Sequence, residues 1–313
     1  MKRRDFFTAS ATIGVAGLAL PTLSTTALAA DTVPGDKRAS AKLRFCSMLG
    51  IIPGSNDGEK LKWMKANGFE AVEIGGSPNS IDDAKDWKKK ADDAGLEIAS
   101  IYFGGAEIPL MSEDPVTHQK GLDEAKVRME FAEIVGSPVL VYVPVRGNQP
   151  KEVKDQPERV LWERTVSVLK KLGPVAESHK TNVILEPLRR GEAWFMRQVS
   201  QAAKLAQEAG VPGVAILGDT YHMYHEEANS MAAFIAGGEL VKHVHIGSGV
   251  GRQLPTAENH SAKGHTHTEA FRGLKYIGYD RFISFECGVG GSGNKEIEVP
   301  KCLDYFRKCW DEA

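Results

Sequence analysis

The sequence predicts an α/β fold, a (β/α)8 TIM barrel, and three observations carry that reading. Short β-rich runs alternate with amphipathic helical stretches along nearly the whole chain, the pattern that sets strands side by side in a parallel sheet. Most of the runs are nearly all apolar, as in strands covered on both faces. Eight such units fit in about 270 residues, the size of a closed barrel. The rival arrangement, an open doubly wound sheet, would usually carry a Gly-rich phosphate loop after its first strand. Here that strand runs into Met48-Leu49-Gly50-Ile51-Ile52-Pro53-Gly54, without such a fingerprint.

Taken in order, residues 1–29 read as a targeting segment. Lys2, Arg3 and Arg4 are followed by an apolar stretch, Ala11 to Leu20, and by Ala27-Leu28-Ala29, an A-x-A cleavage signal. The stretch is half the ~20 residues of a membrane span. Arg3-Arg4-Asp5-Phe6-Phe7 resembles the twin-arginine signal that exports folded proteins, so a periplasmic or extracellular location is expected. No cysteine precedes Cys46, which rules out a lipid anchor on a cysteine after the cleavage site. Residues 30–41, small and polar, read as a flexible linker, and 42–313 as the barrel domain.

The predicted strands are Leu43–Leu49, Ala71–Ile74, Glu97–Phe103, Val139–Val145, Asn182–Leu188, Val214–Asp219, Val241–Ile246 and Phe282–Glu286. Helices are predicted at Asp57–Asn67, Asp82–Ala94, Asp114–Val135, Pro157–His179 and Met196–Ala209. Several stop at glycine: Gly68, Gly95, Gly136 and Gly210. Val199, Ala202, Ala203, Ala206 and Ala209 form an apolar stripe at helical spacing.

Without the three basic residues and one acid of the targeting segment, 36 basic and 40 acidic residues remain, a formal charge of −4. A mildly acidic surface gives no support for nucleic acid or an anionic membrane as partner. Cys46, Cys287, Cys302 and Cys309 contain no C-x-x-C. Cys302 and Cys309, seven apart on one predicted helix, lie on the order of 10 Å apart, too far to bridge. All four read as free thiols, mostly packed.

Four polar residues close or nearly close apolar runs on successive strands: Glu186 on the fifth, Asp219 on the sixth, His245 on the seventh and Glu286 on the eighth. Barrel active sites lie at the C-terminal ends of the strands, so the four side chains can converge. If Glu286 points inward, so does Ser284, while Phe285 and Cys287 face the helices. By the same alternation His243 lies one layer below His245, and it reads as a hydrogen-bonded core residue. Three carboxylates and an imidazole crowded together need a cation to offset repulsion and desolvation. Mixed oxygen and nitrogen donors suit one divalent ion, Mn²⁺ foremost, with Mg²⁺, Co²⁺ or Zn²⁺ as the others.

This metal set resembles that of the xylose-isomerase-like barrels, a superfamily that includes ketose 3-epimerases, hydroxypyruvate isomerases, inosose dehydratases and endonuclease IV. The likeness covers essentially all of the chain after the targeting segment, including the Gly278-Tyr279-Asp280 turn before the last strand. It is nearest to the D-tagatose/D-psicose 3-epimerase branch. Glu192 lies six residues after Glu186, His222 three after Asp219, and Arg252 a short interval after His245, one residue late. The resemblance implies that Glu186 and Glu286 are metal ligands and the acid/base pair. It implies too that Glu192, His222 and Arg252 hold oxygens of a small carbohydrate substrate; self-association into a homo-oligomer stays open.

The chemistry this implies is proton transfer beside a carbonyl through an enediolate, giving an epimerase or isomerase. A lyase that eliminates a β-substituent is the alternative on the same site. A nuclease like endonuclease IV would need further histidines, for which His265-Thr266-His267 is positioned. Strands two and three end in Ile74-Gly75-Gly76 and Tyr102-Phe103-Gly104, with none to match. A non-catalytic sugar-binding barrel is the third class. The loop His260–His267 departs from the ketose epimerases, and export disfavours phosphorylated metabolites; a keto-sugar or keto-glycoside is the expected substrate.

Overall fold

Every predicted run becomes a strand. The computed structural model describes residues 37–313 apart from Ala106, Asn148, Glu258 and residues 260–263. The targeting segment 1–29, the linker up to residue 36 and the start of the His260–His267 loop lie outside the described residues. The strands are β1 (Arg44–Met48), β2 (Ala71–Glu73), β3 (Glu97–Tyr102), β4 (Val139–Tyr142), β5 (Asn182–Leu185), β6 (Val214–Asp219), β7 (Val241–Ile246) and β8 (Phe282–Phe285). All neighbours pair in parallel and β8 returns to β1, which closes the barrel.

Among the described residues, eight helices of eight residues or more follow the strands: α1 (Asp57–Ala66), α2 (Ile81–Ala94), α3 (Pro115–Val135), α4 (Glu158–Ser178), α5 (Val199–Ala209), α6 (Ser230–Gly237), α7 (His267–Tyr276) and α8 (Lys295–Asp311). Their starts are capped as the sequence dictates: the side chains of Asn56, Ser80, Asp114 and Thr266 each accept a first-turn backbone N–H. Gly95, Gly136 and Gly210 end α2, α3 and α5 in the left-handed conformation. The sequence reading overran several strand ends. β4 and β5 stop at Tyr142 and Leu185, not Val145 and Leu188, because Pro144 and Pro187 cannot donate to a ladder. β2 stops at Glu73, one residue before the predicted end. At the other end of the domain, Lys37 N–H and Lys42 N–H bond to the carbonyls of Tyr276 and Tyr279, and Arg38–Ser40 make a single turn. The far end of the linker expected to be flexible is thus tied to the barrel.

Side chains partition as strand alternation requires. Phe285 points outward, where its ring stacks on Phe45, meets Phe69 edge-on and packs against Phe306 of α8. Inside, Ala71 and Phe282, the first residues of β2 and β8, pack with Cys46 and Ala99 to plug the N-terminal end. Asp219 lies opposite His245, and His245 opposite Ser284, two residues before Glu286, so the candidate ligands all fall at the C-terminal ends of their strands. All four cysteines are free, with Cys46, Cys302 and Cys309 buried.

Candidate metal centre

The four predicted ligands meet. Asp219 closes β6 and His245 is the penultimate residue of β7, while Glu186 and Glu286 are the first residues beyond β5 and β8. One donor atom from each lies within 4.8 Å of the others. Glu186 Oε1 and Glu286 Oε2 are 3.2 and 2.8 Å from His245 Nδ1. Asp219 is held by Tyr221 N–H, which donates to its Oδ1 at 2.7 Å. Asp219, His245 and Glu186 are buried.

Below them sits a carboxylate that the sequence reading passed over. Glu73, buried at the end of β2, takes three hydrogen bonds: from His245 Nε2 at 2.9 Å, from Tyr102 Oη at 2.7 Å and from His243 Nε2 at 3.0 Å. His243 is therefore a hydrogen-bonded core residue, as expected. A neutral His245 that donates Nε2–H to Glu73 would turn its Nδ1 lone pair toward Glu186 and Glu286. Carboxylate, histidine and ligand site in that order is how proteins fix the tautomer of a metal-binding imidazole.

Electrostatics test whether a cation fits. Burial pushes the Glu186 carboxyl up, but the hydrogen bond and charge of His245, with His222, carry it below its ordinary range. Burial also opposes ionisation of Asp219, and His222 and Arg252 overcome it. Glu286 is raised, burial being the largest cause. Burial would lower His245, yet Glu73 and Glu286 hold it well above its ordinary value. A proton on His245 and the Arg252 guanidinium, 2.7 Å from Asp219 and 2.6 Å from Glu286, are the positive charges against these acids. If His245 is neutral, its lone pair faces two carboxylate oxygens, an arrangement stable only with a cation between them. The four residues thus fit a divalent ion, and the oxygen-rich, single-nitrogen donor set suits a hard or borderline one.

A cavity of about 260 Å³ opens above this set, lined by Met48, Gly75, Tyr102, Arg146, Glu186, Leu188, Glu192, His222, Arg252 and Glu286. All three predicted substrate contacts are there. Of the four ligands, only Glu186 and Glu286 face the cavity. His222 Nδ1 accepts the Arg189 N–H at 3.2 Å, which leaves Nε2 as its protonated nitrogen, 3.4 Å from Asp219 Oδ2. Glu192 pairs with Arg189 at 2.8 Å. Arg252 reaches the acids although its place in the loop is one residue late, because Gly251 and Arg252 itself have positive φ, 71° and 48°. A non-glycine residue held there is strain of the kind functional sites store.

A family model described as a xylose isomerase-like TIM barrel matches residues 61–309. The chain belongs to that family. Among its relatives in the family are the D-psicose 3-epimerase of Ruminiclostridium cellulolyticum, 25% identical over 243 residues, 74% of this chain and 79% of the relative. The 3-dehydro-D-guloside 4-epimerase of Escherichia coli is 27% identical over 199 residues, 60% of this chain and 72% of the relative. The crystal structure of a 3-keto-D-glucoside 4-epimerase from E. coli superposes with a TM-score of 0.73 at 22% identity, covering 86% of this chain and all of that one, a likeness of fold. This xylose isomerase-like barrel is an enzyme of the sugar isomerase and epimerase group, and its four ligand residues can form a divalent-metal site.

The nuclease alternative has no footing in the site. His265 Nδ1 is 2.9 Å from Ser230 Oγ, and His267 packs edge-on against the rings of Tyr224 and Phe306. Neither belongs to a metal-capable cluster among the described residues. Among the described residues, too, no helix is long and apolar enough to cross a membrane. Sequence reasoning missed Glu73, Tyr102, Arg146 and Arg189. Glu73 left only a weak trace, a charged residue inside the short run Ala71–Ile74 rather than at its end.

Proposed function

We propose that this enzyme moves a proton at a carbon beside the carbonyl of a keto-sugar or keto-glycoside, through an enediolate, to give an epimer or isomer. The observation that carries the proposal is the pair of carboxylates, Glu186 and Glu286, that face the cavity while sharing His245 Nδ1 behind it. Glu186 and Glu286 come from strands three places apart in the ring, so they approach a substrate from different sides. One takes the proton and the other returns it. Return to the opposite face inverts a centre, and return to the neighbouring carbon shifts the carbonyl.

A divalent ion, Mn²⁺ first, would be held by Glu186, Asp219, His245 and Glu286, and would supply polarisation of the substrate's carbonyl. Arg252, Glu192 and His222 offer fixed donors and acceptors for hydroxyl oxygens. The cavity lies below the ~300–1,000 Å³ of pockets for drug-sized ligands, which favours a single sugar unit at the reacting end. The activities in the relatives' names, 3- and 4-epimerisation of ketoses and keto-glycosides, agree with this chemistry. We further propose export by the twin-arginine route, supported by the basic start, short apolar stretch and A-x-A site of residues 1–29.

The metal is tested by elemental analysis of purified native protein and Asp219→Ala. Native protein is expected to carry one divalent ion per chain and the variant far less. Chelation should abolish turnover of a ketose and keto-glycoside panel, and Mn²⁺ should restore it. Equal metal content in both proteins, or turnover that survives chelation, would contradict the site.

A further inference from the structure

The arginines at the cavity are paired within the protein, with one exception. Arg252 spans Asp219 and Glu286. Arg189 pairs with Glu192. Arg146, on the loop after β4, lines the same cavity, and no ion pair joins it to a carboxylate among the described residues. Its Nε is buried and has no hydrogen-bond partner. A solvated surface arginine would leave Nε to water. This one withdraws it from solvent and gives it nothing.

The backbone around Arg146 is held on both sides. Gly147 N–H donates to the carbonyl of Glu192 at 3.1 Å, which ties the β4 loop to the β5 loop. Gln149 N–H donates to the Arg146 carbonyl at 3.1 Å, and the buried Gln149 side chain donates to the Pro144 carbonyl at 3.1 Å. The guanidinium is therefore presented from a fixed base, next to Leu188 and Glu192 in the lining. It adds a positive charge beyond those already set against the carboxylates.

We propose that Arg146 forms a separate subsite for an oxyanion carried by the substrate away from its reacting carbons. A guanidinium edge, two N–H groups side by side, matches the two oxygens of a carboxylate or phosphate. A neutral hydroxyl would use one N–H and leave the other without an acceptor. The inference rests on the cavity being the sugar site, and it narrows the substrate class to acidic keto-sugars or keto-glycosides. A uronate and a phosphate ester are the two sources of that chemistry.

Non-reactive probes separate this proposal from the enediolate reading, because they bind without turning over. The metal-loaded enzyme is titrated calorimetrically with methyl glucoside, methyl glucosiduronate and methyl glucoside 6-phosphate. The native enzyme should bind one or both anionic probes at least about tenfold more tightly than methyl glucoside, as a charge-assisted pair implies. Preference for the uronate assigns a carboxylate, and preference for the ester a phosphate. Arg146→Gln should bring the anionic and neutral affinities together, and Arg146→Lys, keeping the charge but not the fork, should retain part of the difference. Native enzyme that binds no probe, or shows no preference, overturns the proposal. So does a preference that persists in Arg146→Gln, which would place the anion on the metal or on Arg252. Anion preference in an enzyme that catalyses no hydrogen exchange would count against the enediolate reading alone.

Discussion

His245 has two ring nitrogens and a different neighbour for each. Nε2 meets Glu73 and Nδ1 meets Glu186 and Glu286. At the proposed metal site Glu73 would fix which nitrogen keeps its proton, and so act on the ion without touching it. Glu73→Ala should lower metal affinity by about 10–100-fold, the usual effect of losing such a partner. It should also destabilise the fold by about 3–5 kcal/mol, since buried partners of a charged group lose their acceptor. A chelator-competition titration and urea unfolding measure the two. Unchanged metal affinity in a folded variant would refute the role. Four ligands were readable because each closes or nearly closes a β-rich run on consecutive strands. Glu73 was not, because apolar Ile74 follows it and hides the strand end. Its partners, His243 and His245, lie five strands later in the chain, where only the closed barrel brings them together.

Elements find their places through a few close approaches. Gly213, before β6, has φ of 70°, and a Cβ there would stand 2.1 Å from the Gly173 carbonyl of α4. The contact seats α4 against the turn that launches the Asp219 strand. Gly213→Ala should cost about 2 kcal/mol or more, combining overpacking with a left-handed non-glycine residue. The measurement is the urea midpoint at constant slope. A change within about 0.5 kcal/mol, typical of a neutral surface site, would contradict the close approach. At this scale the sequence was legible in its periodicity and its glycine stops, and less so in its strand ends. Pro144 and Pro187 end β4 and β5 earlier than the apolar runs do, since a run says what is buried and not what is paired. Arg252 was expected one residue late, and the positive φ values of Gly251 and Arg252 are how the loop absorbs the extra residue. Backbone conformation of that kind leaves little trace in composition.

For the whole molecule, alternation, apolar runs and the count of eight units together predict the barrel, and closure follows because β8 pairs with β1. Closure also sets the site: ligands from β5 to β8 and the buried carboxylate from β2 converge only when the sheet is a ring. The proposed export belongs to this scale, because a twin-arginine route delivers the barrel already folded. Arg3→Lys with Arg4→Lys should leave the protein in the cytoplasm with residues 1–29 attached, as fractionation and N-terminal sequencing would report. Normal processing of that variant would point to another route. Hydrogen exchange reads the proposed proton transfer by Glu186 and Glu286. Metal-loaded enzyme in deuterated water, given substrates from the ketose and keto-glycoside panel, should place solvent deuterium on the carbon beside the carbonyl. Glu186→Gln and Glu286→Gln should each slow this by about 10²–10⁴-fold while the barrel stays folded. Substrate that turns over with all its original C–H hydrogens, and with no primary isotope effect when that position is deuterated, would rule out the enediolate route.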